Sequence, residues 1–421
     1  MAIFGALSTG RSGLINTGAA LSVIGNNIAN VGTTGFKAAR VEFADLISAE
    51  AGGEVGKIGL GSRVGSVRTL FTQGSIENTG RSLDLSIEGQ GFFVLREGQG
   101  QVYSRAGNFS LQPDGLVTNL IGNALQGAAL NPDGTTAGGI QDISVAGLAS
   151  QARATTTATL KGNLQSDAPL ITGGFDPTSF QTAFATSNFS TSARTFDSLG
   201  KAHDVSVFFT RTGTNAWDVH YGVDAGDTGG TPGALQIVGN GTLGFNSDGT
   251  VATTSGNTAS VTFSGATAQT ITFNLGTAGN LDGMGQFASP SGINFVSQDG
   301  FGSGGLVSLN VDSRGIMTGT FDNGQTRPLF QLAIAHFAAP EGLTPSGNQL
   351  YRASVDSGPA AIATAGSQGN GTIVSSALEQ SNVQIAQEFI DLISTQRSFQ
   401  ANARVITASD SLLGDLINII R

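Results

Sequence analysis

Three groups of residues in this chain could bind a ligand or take part in catalysis. They are one glycine-rich stretch, several aspartates and the three histidines. The stretch GKIGLGSRVG, residues 56–65, has the glycine content of a phosphate-binding loop, whose backbone N–H groups cradle the phosphates. It lacks the pattern G-x-x-x-x-G-K-[ST], and Gly59, Gly61 and Gly65 miss the G-x-G-x-x-G spacing by one residue. We therefore interpret the stretch as a connector.

The aspartates resemble calcium ligands only at first sight. A calcium loop needs oxygen ligands at its first, third and fifth positions and a glutamate at its twelfth, and no Asp-Gly step here is followed by that set. Such steps favour tight hairpin turns instead. Turns are predicted at Asp114-Gly115, Asp133-Gly134, Asp248-Gly249, Asp282-Gly283, Asp299-Gly300 and Asn323-Gly324.

The histidines and two further aspartates do not define an active site. His203, His220 and His336 lie in strand-like contexts without the spacing of metal ligands. Asp204 and Asp218 have the residue type of paired glycosidase carboxylates, but nothing in the sequence fixes their separation. A catalytic triad assembled in three dimensions stays open as an alternative. The sequence predicts no catalytic residue, no cofactor and no metal, and hence a protein that is not an enzyme.

The composition indicates extensive contacts with protein. Charged residues make up 12% of the 421 residues, about half the usual share of roughly 25%. A β-rich secreted protein covered by Ser, Thr and Asn would have the same composition, so both interpretations stay open. The net charge of −10 argues against nucleic-acid and anionic-membrane partners, which need clustered Lys and Arg. The absence of cysteine excludes disulfides and thiolate metal sites.

The N-terminal residues MAIFGALSTGRSGLINTG lack both the basic and the continuous apolar region of a secretory signal peptide. The longest apolar run, LLGDLINII, contains Asp415 and is too short to span a bilayer. We expect a soluble protein that either stays in the cytoplasm or is exported without a cleaved signal peptide.

The elements at the two ends of the chain share a seven-residue apolar repeat, which predicts helices that pack along their length like a coiled coil. A C-terminal helix that is continuous from about Ser376 would be ~65 Å long. A helical hairpin inside one globular domain is the alternative, but an apolar stripe this long has too little cover within the chain. We therefore predict an assembly interface at Leu7, Leu14, Leu21, Ile24, Ile28, Leu378, Ile385, Leu392, Phe399, Ile406, Leu413 and Ile420.

Between the ends, alternating strands such as SLDLSIEGQGFFVL and VSVFF predict antiparallel β-structure. A shift to Thr, Ser, Gly and Ala marks one β domain inserted in another. The predicted division is a terminal helical domain, connecting segments, an inner β domain and an inserted outer β domain, at residues 1–30 with 376–421, 31–70 with 359–375, 71–147 with 299–358, and 148–298, respectively.

The stretch NNIANVGTTGFKAAR, residues 26–40, is a polar break after the first helix. Asn30, Gly32 and Gly35 are predicted to end that helix by adopting the left-handed conformation. The stretch closely resembles a signature of the flagellar rod, hook and hook-associated axial proteins, and EFIDLISTQRSFQANARVITASDSLL resembles the C-terminal signature of the same family. The residues that carry the resemblance are Asn26, Asn27, Asn30, Gly35, Phe36, Lys37, Gln400, Ala401 and Asn402.

Within this family, TFDSLGKAHDVSVFF, residues 195–209, is similar to the outer domain of hook subunits. The resemblance implies an α+β, multidomain fold in which long terminal helices form an inner coiled-coil-like layer, with two nested antiparallel β domains outside. It implies a homopolymer in the form of a curved hollow tube, a flexible joint that transmits torque from rod to filament. Its implied partners are the distal rod protein, the hook cap, the hook–filament junction protein and the flagellar type III export apparatus.

Two other interpretations stay open. A distal rod subunit of the basal body resembles this chain at both ends but generally lacks so large an insertion. The other is a secreted β-rich protein, either an enzyme that cleaves polysaccharide or a carbohydrate-binding or adhesive module, and in the module the Thr- and Gly-rich residues 148–298 would be the binding part.

Overall fold

The computed structural model describes residues 2–47 and 59–419. The described chain is mostly β-strand, with a long α-helix at each end and one short helix between them. It folds into two compact units. We call them the terminal unit, which comprises Met1–Gly147, Ser308–Gly319 and Thr326–Arg421, and the inserted unit, which comprises Leu148–Val307 and Thr320–Gln325.

The first part of the terminal unit begins with helix α1, Ala2–Ala29, followed by an antiparallel hairpin of strands β1, Ala39–Ile47, and β2, Gly59–Thr69. Eight strands come next: β3 (Ile76–Asn78), β4 (Leu85–Glu88), β5 (Phe92–Glu97), β6 (Gly100–Ser104), β7 (Ser110–Leu111), β8 (Val117–Thr118), β9 (Ala124–Leu130) and β10 (Thr136–Asp142).

The next segment is rich in strands and contains the short helix α2, Phe180–Ala185, which a capping box at Ser179 starts. Its strands are β11 (Ala149–Ser150), β12 (Thr157–Gln165), β13 (Phe189–Phe196), β14 (Ala202–Gly213), β15 (Ala216–Asp224), β16 (Leu235–Phe245), β17 (Val251–Ser255), β18 (Thr258–Val261), β19 (Gln269–Asn274), β20 (Met284–Phe287) and β21 (Gly292–Gln298).

The chain ends with nine strands and helix α3, Ile385–Ile419. The strands are β22 (Gly304–Val311), β23 (Ile316–Phe321), β24 (Thr326–Leu332), β25 (Ile334–His336), β26 (Thr344–Gly347), β27 (Leu350–Arg352), β28 (Ala361–Ala363), β29 (Thr372–Ser375) and β30 (Ala377–Glu379).

The core of the terminal unit is aromatic. Its main sheet contains the strand order β24-β9-β5-β6-β27-β26, and β25 pairs with both β5 and β28. Phe92 contacts Phe337 edge to face with ring centroids 5.7 Å apart, and Tyr103 contacts the same ring at 4.8 Å. Two short ladders then join segments from opposite ends of the sequence, because β3 pairs with β30 and β4 pairs with β29.

In the inserted unit, the sheet β13-β14-β15-β16-β17 and the sheet β18-β19-β12-β20, with β21 on β12, share one apolar core. Trp217 lies in this core and donates a hydrogen bond from Nε1 to Gln286 Oε1 at 3.1 Å. His203 is also buried. Its ring stacks on Phe263 with centroids 3.7 Å apart, and its Nε2 lies 3.2 Å from Asp197 Oδ2.

Three sequence expectations need correction. The C-terminal helix begins at Ile385, not near Ser376, and is therefore ~50 Å long. Leu378, predicted as a helical interface residue, lies in β30 opposite Glu77 of β3. The seven-residue spacing extends to Leu378 by coincidence, because a single apolar residue fits a strand as well as a helix.

The second correction concerns residues 31–70, which lack a clear period and were expected to be a connector. They contain the β1–β2 hairpin, whose register runs from Ala39 opposite Thr69 towards the hairpin end. Part of the GKIGLGSRVG stretch is therefore strand β2. Its glycines interrupt the alternation of apolar residues, so the period of a strand is not visible in the sequence.

The third correction is that β-structure in the inserted unit is not purely antiparallel. Strand β12 pairs in parallel with β19 and β20, and antiparallel with β21. Parallel pairing needs a long crossover connection. The chain between β12 and β19 contains six strands and α2, which supplies that length.

The polar break after α1 follows the prediction in part. The helix ends at Ala29, and Gly35 has a left-handed φ of +68°. Asn30 and Gly32 do not have positive φ, so Gly35 alone of the three adopts that conformation. A methyl group on Gly35 would lie 2.5 Å from the backbone nitrogen of Ala106, and this close approach also requires glycine.

Candidate assembly site at the terminal helices

Helices α1 and α3 pack against each other in antiparallel orientation. Asn27, near the end of α1, donates to Glu388 in the first turn of α3, whereas Gly13 approaches Asn402 and Gly10 approaches Ile406. Later residues of α1 therefore meet earlier residues of α3. On α1, the predicted interface residues Leu7, Leu14, Leu21, Ile24 and Ile28 are all half-buried.

The better-covered face of α3 shows alternating spacings of four and three residues, which is the period of a helix seam. Every second seam position is a large apolar residue, and the positions between them are polar or small. Phe399 is still 39% exposed, whereas Ser409 is buried. The seam residues are Glu388, Leu392, Thr395, Phe399, Asn402, Ile406, Ser409 and Leu413.

The opposite face of α3 exposes large apolar side chains. Phe389, Ile390 and Ile393 are 49%, 60% and 49% exposed, respectively. Val405 and Leu412 are also exposed but belong to a different side of the helix, since Val405 Cγ1 would lie 3.5 Å from a methyl group on Gly10 of α1. Ile385 is exposed at the first position of the helix. Ile420, the last predicted interface residue, lies outside the described residues. Because single exposed apolar residues are ordinary but clustered ones mark interaction sites, this face is a candidate for contact with protein.

Glycine allows the two helices to approach closely. A methyl group added at Gly13 would lie 2.6 Å from Asn402 Nδ2, and one at Gly10 would lie 3.0 Å from Ile406 Cγ1. Asn402, a residue of the C-terminal signature, therefore occupies the space that Gly13 leaves. Its signature neighbours Gln400 and Ala401 are exposed.

The β1–β2 hairpin covers another face of α1, which the sequence did not predict. Asn16 donates from Nδ2 to Ser62 Oγ at 2.7 Å, and the backbone N–H of Ser62 donates to Ser12 Oγ at 3.4 Å. Asn16 is buried although it is polar, because this hydrogen bond satisfies its amide. Helix α1 therefore has two partners, α3 and the hairpin.

A network of asparagines fastens both helices where they meet the β-structure. We call this region the helix root and define it as residues 27–39, 70–74 and 379–388. Asn27 is buried; its Nδ2 donates to Ala39 O at 2.9 Å and to Glu388 Oε1 at 3.0 Å, and its Oδ1 accepts from Ala39 N at 3.0 Å. Burial and the nearby charge of Asp391 raise the pKa of Glu388, and the bond from Asn27 opposes that shift.

The helix root also contains a buried ion triad, formed by Lys37, Glu379 and Arg105. Lys37 Nζ lies 2.6 Å from Glu379 Oε1, and both side chains are fully buried. Arg105 Nη1 lies 3.5 Å from Glu379 Oε2. Burial lowers the pKa of Lys37, and the carboxylate of Glu379 opposes this shift. Lys37 was predicted as a signature residue, whereas its two partners were not predicted.

Backbone groups complete the triad. Lys37 Nζ donates to Thr72 O at 2.7 Å, and Gly74 N donates to Glu379 Oε1 at 2.9 Å. Arg105 donates to Ile87 O at 3.2 Å and to Gly89 O at 2.6 Å. The stretch GFKAAR gives no sign that its lysine is buried, because most lysines are exposed, so the sequence did not point to a buried carboxylate.

The remaining signature residues have local roles. Asn30 Nδ2 donates to Asn26 O at 2.9 Å and thereby closes the last turn of α1. Phe36 is half-buried beside Gly35, whose backbone N–H donates to Glu379 O at 2.8 Å. The N-terminal and C-terminal signatures therefore meet along the α1–α3 contact and in the helix root.

The residues with possible chemistry are dispersed. Asp204 is exposed and lies 3.8 Å from Arg194, and His220 stacks on Phe175. Among the residues that the structure describes, no group of three or more His, Cys, Asp or Glu is arranged to hold a metal. Within the same residues, no helix is both long and apolar enough to cross a membrane.

Family models of flagellar proteins match four parts of the chain. Residues 7–37 match the flagella basal body rod protein model, and residues 374–419 match the C-terminal model of the flagellar basal body rod FlgEFG proteins. Residues 86–148 match the flagellar hook protein FlgE/F/G D1 domain, and residues 163–301 match the flagellar basal body protein FlaE D2 domain. These matches define the class as the rod and hook proteins of the flagellum.

Curated relatives narrow the class. Flagellar hook protein FlgE of Escherichia coli (strain K12) is 37% identical over 98% of this chain and 100% of that protein. The FlgE proteins of Salmonella typhimurium and Borreliella burgdorferi are 35% and 34% identical, over 97% and 98% of this chain and 98% and 99% of their own lengths, respectively. The chain belongs to the flagellar hook protein FlgE family. A crystal structure of Helicobacter pylori FlgE2 is 14% identical, covers 72% of this chain and all of that chain, and has a TM-score of 0.47.

Proposed function

We propose that this chain is a structural subunit of the bacterial flagellar hook and that it polymerises into a curved hollow tube. Full-length similarity to flagellar hook proteins supports the hook. The observation that carries polymerisation is the apolar face of α3 opposite α1, at Phe389, Ile390 and Ile393. In a polymer of identical subunits, that face packs against a neighbouring subunit, because apolar surface of this extent is unfavourable in water.

We propose four structural layers for the subunit in the tube, at the boundaries predicted from the sequence. The terminal helical domain, residues 1–30 and 376–421, contributes helices α1 and α3 to a coiled-coil-like layer around a central channel. Residues 31–70, which include the β1–β2 hairpin, and residues 359–375 connect it to the inner β domain, and residues 148–298 form the outer domain. The separate core of the inserted unit supports the last assignment, because a domain with its own core folds independently.

We further propose that this layering makes the tube a flexible joint that transmits torque. Interdigitated helix packing resists twisting, since any rotation breaks close contacts. The inserted unit has few charged residues and many small polar ones, so its contacts with neighbours are wetter and can exchange as subunits slide. The tube then bends at its outer surface while its inner layer carries the torsion.

The same proposal includes location and partners. The subunit lies in the hook, outside the cell, and contacts the distal rod protein, the hook cap and the hook–filament junction protein. It reaches the tip through the flagellar type III export apparatus without cleavage of a signal peptide. The mass of the subunit recovered from hooks tests the last point, because cleavage would shorten the N-terminus. We propose no enzymatic activity, no cofactor, no small-molecule substrate and no nucleic-acid partner.

A distal rod subunit is the nearest alternative. The match of residues 163–301 to a D2 domain model favours the hook. This match covers most of the insertion, residues 148–298, that distal rod subunits are expected to lack. A secreted carbohydrate-binding or adhesive protein has no observation in its favour.

Electron microscopy of the concentrated full-length protein tests the proposal. We expect curved hollow tubes from the unchanged chain. Ile406→Asp should abolish tubes, because Ile406 lies in the helix seam and an unpaired charge there costs several kcal/mol. The matched control Gln400→Asp places the same charge at a position that is exposed in the single chain, and it should weaken assembly much less than Ile406→Asp. Protein that stays monomeric under all conditions, or straight rods from the unchanged chain, would contradict the proposal.

A further inference from the structure

The buried ion triad depends on a single carboxylate. Among the described residues, neither Lys37 nor Arg105 has a second carboxylate within the 4.0 Å of a salt bridge. Lys37 comes from the N-terminal segment and Arg105 directly follows β6, whereas Glu379 is the last residue of β30 in the C-terminal segment. Two cations of the terminal unit therefore stay uncompensated until the C-terminal segment has docked. Buried charge without a counterion is strongly unfavourable.

The triad lies close to both helix ends. Lys37 follows the last residue of α1, Ala29, by eight positions, and Glu379 precedes the first residue of α3, Ile385, by six. Backbone hydrogen bonds hold these short links. Gly35 N donates to Glu379 O at 2.8 Å, which joins the N-terminal link directly to the C-terminal one.

Asn382 extends the same connection. Its Oδ1 accepts from Ala38 N at 2.8 Å, and its Nδ2 donates to Leu70 O at 2.8 Å and to Thr72 O at 3.1 Å. Thr72 O also accepts from Lys37 Nζ. The exit of α1, the return from the hairpin and the entry to α3 are thus fixed to one another by directional bonds.

We propose that Lys37, Glu379 and Arg105 are positioning residues that set how both terminal helices leave the β-structure, and that they do so only when both ends of the chain are in place. The inference rests on the proposed function, because in a hook the helix root connects the inner layer to the β domains. An apolar cluster at this place would tolerate small shifts of the helices relative to the strands. Ions with fixed hydrogen-bond partners instead specify one orientation of the helices.

The test is hydrogen exchange of monomeric full-length protein with the substitution Glu379→Gln. The amide side chain has the size of the carboxylate that it replaces but leaves Lys37 and Arg105 without a counterion. We expect the amides of Gly35, Ala38 and Ala39 to exchange at least ~10-fold faster, because the helix root opens more often. The matched control is Glu97→Gln, which removes a half-buried carboxylate paired with Arg352 in the same unit and should leave these amides unchanged.

A double-mutant cycle tests whether the ions act as one unit. Lys37→Met and Glu379→Gln should each accelerate exchange, and the two together should accelerate it by less than the product of the single effects. Exchange in Glu379→Gln that matches Glu97→Gln, or fully multiplicative effects in the double variant, would overturn the inference. Amides in the core of the inserted unit, such as Val219, should keep their rates in all variants.

The geometry of the tube distinguishes a positioning role from a purely stabilising one, because a loss of stability alone would not change the geometry of the tubes that form. At concentrations where Glu379→Gln polymerises, we expect tubes with altered curvature or helical repeat compared with Glu97→Gln, because the root angle has changed. Tubes with unchanged geometry would overturn the positioning role. If the unchanged chain forms no tubes, the proposed function fails, whereas the exchange measurements on the monomer still decide the inference about the triad.

Discussion

The exposed face of α3 predicts how strongly assembly depends on three side chains. Phe389, Ile390 and Ile393 are about half exposed in the single chain. Complete burial of one such side chain contributes about 1.5–3 kcal/mol, so burial of the exposed halves of all three contributes roughly 2–4 kcal/mol per subunit. Because ~1.4 kcal/mol corresponds to a tenfold change in an equilibrium constant, serine at all three positions should raise the critical concentration for assembly by ~30- to 1,000-fold.

The assay is sedimentation of polymer over a range of total protein concentration, with the unsedimented protein giving the critical concentration. The triple variant Phe389→Ser, Ile390→Ser and Ile393→Ser should fold normally, since all three side chains are about half exposed in the single chain. Circular dichroism checks its helix content. Thermal unfolding of the inserted unit, which contains none of the three residues, should be unchanged.

Serine also lowers helix propensity by several tenths of a kcal/mol per residue. The double variant Gln396→Ser and Gln400→Ser controls for this, because both positions are exposed and polar on the same helix. It should leave the critical concentration within ~3-fold of the unchanged chain. A triple variant that assembles at the same concentration as this control would refute the assignment of the α3 face to a subunit contact.

Three further predictions follow from packing and charge. Gly18→Ala should stabilise helix α1 by up to ~1 kcal/mol and so raise the melting temperature followed by the helical circular dichroism signal. Gly13→Ala should raise that temperature less or lower it, because Asn402 must move. A larger gain for Gly13→Ala than for Gly18→Ala would contradict the close contact of Gly13 with Asn402. Burial raises the pKa of Asp197, but bonds from a buried histidine and backbone amides outweigh burial and lower that pKa below its ordinary value. Stability from this group is present above its ordinary pKa and is lost as pH falls, so Asp197→Asn should weaken the acid dependence of inserted-unit melting. The pKa of Glu388 is raised above its ordinary value, chiefly by burial, so its contribution to stability is lost as pH rises; Glu388→Gln should raise the terminal-unit melting temperature at pH 7 and not at low pH, and equal effects at both would contradict the sign.

The terminal helices were largely predictable because their repeat is long. Leu392, Phe399 and Ile406 recur at seven residues, and such a pattern over several turns is typical of helices that pack along their length. Single residues at the end of a pattern are ambiguous, which is why the prediction that Leu378 lies in the helix was wrong. Its position is decided by pairing with Glu77, a residue that is 301 positions earlier in the chain.

The ion triad was not predictable as a set. Lys37 belongs to a local signature, but its carboxylate is separated from it by 342 positions, and no spacing rule connects them. The parallel pairing of β12 was not predictable for the same reason. Its partners β19 and β20 follow long connections, whose course depends on tertiary packing. Local periodicity predicts elements, whereas contacts between distant segments need the folded structure.

The side chains around α3 differ between the face that meets α1 and the face opposite to it. Towards α1, every second seam position is polar or small, as with Thr395, Asn402 and Ser409, so each heptad offers about one large apolar residue to its intramolecular partner. On the opposite face, Ile390 and Ile393 are exposed to solvent. Helix stability in proteins comes mainly from burial of an apolar face and less from intrinsic propensity. We therefore predict that the two helices gain stability from neighbouring subunits that cover this outer face, so that α3 becomes more protected from hydrogen exchange in the polymer than in the monomer.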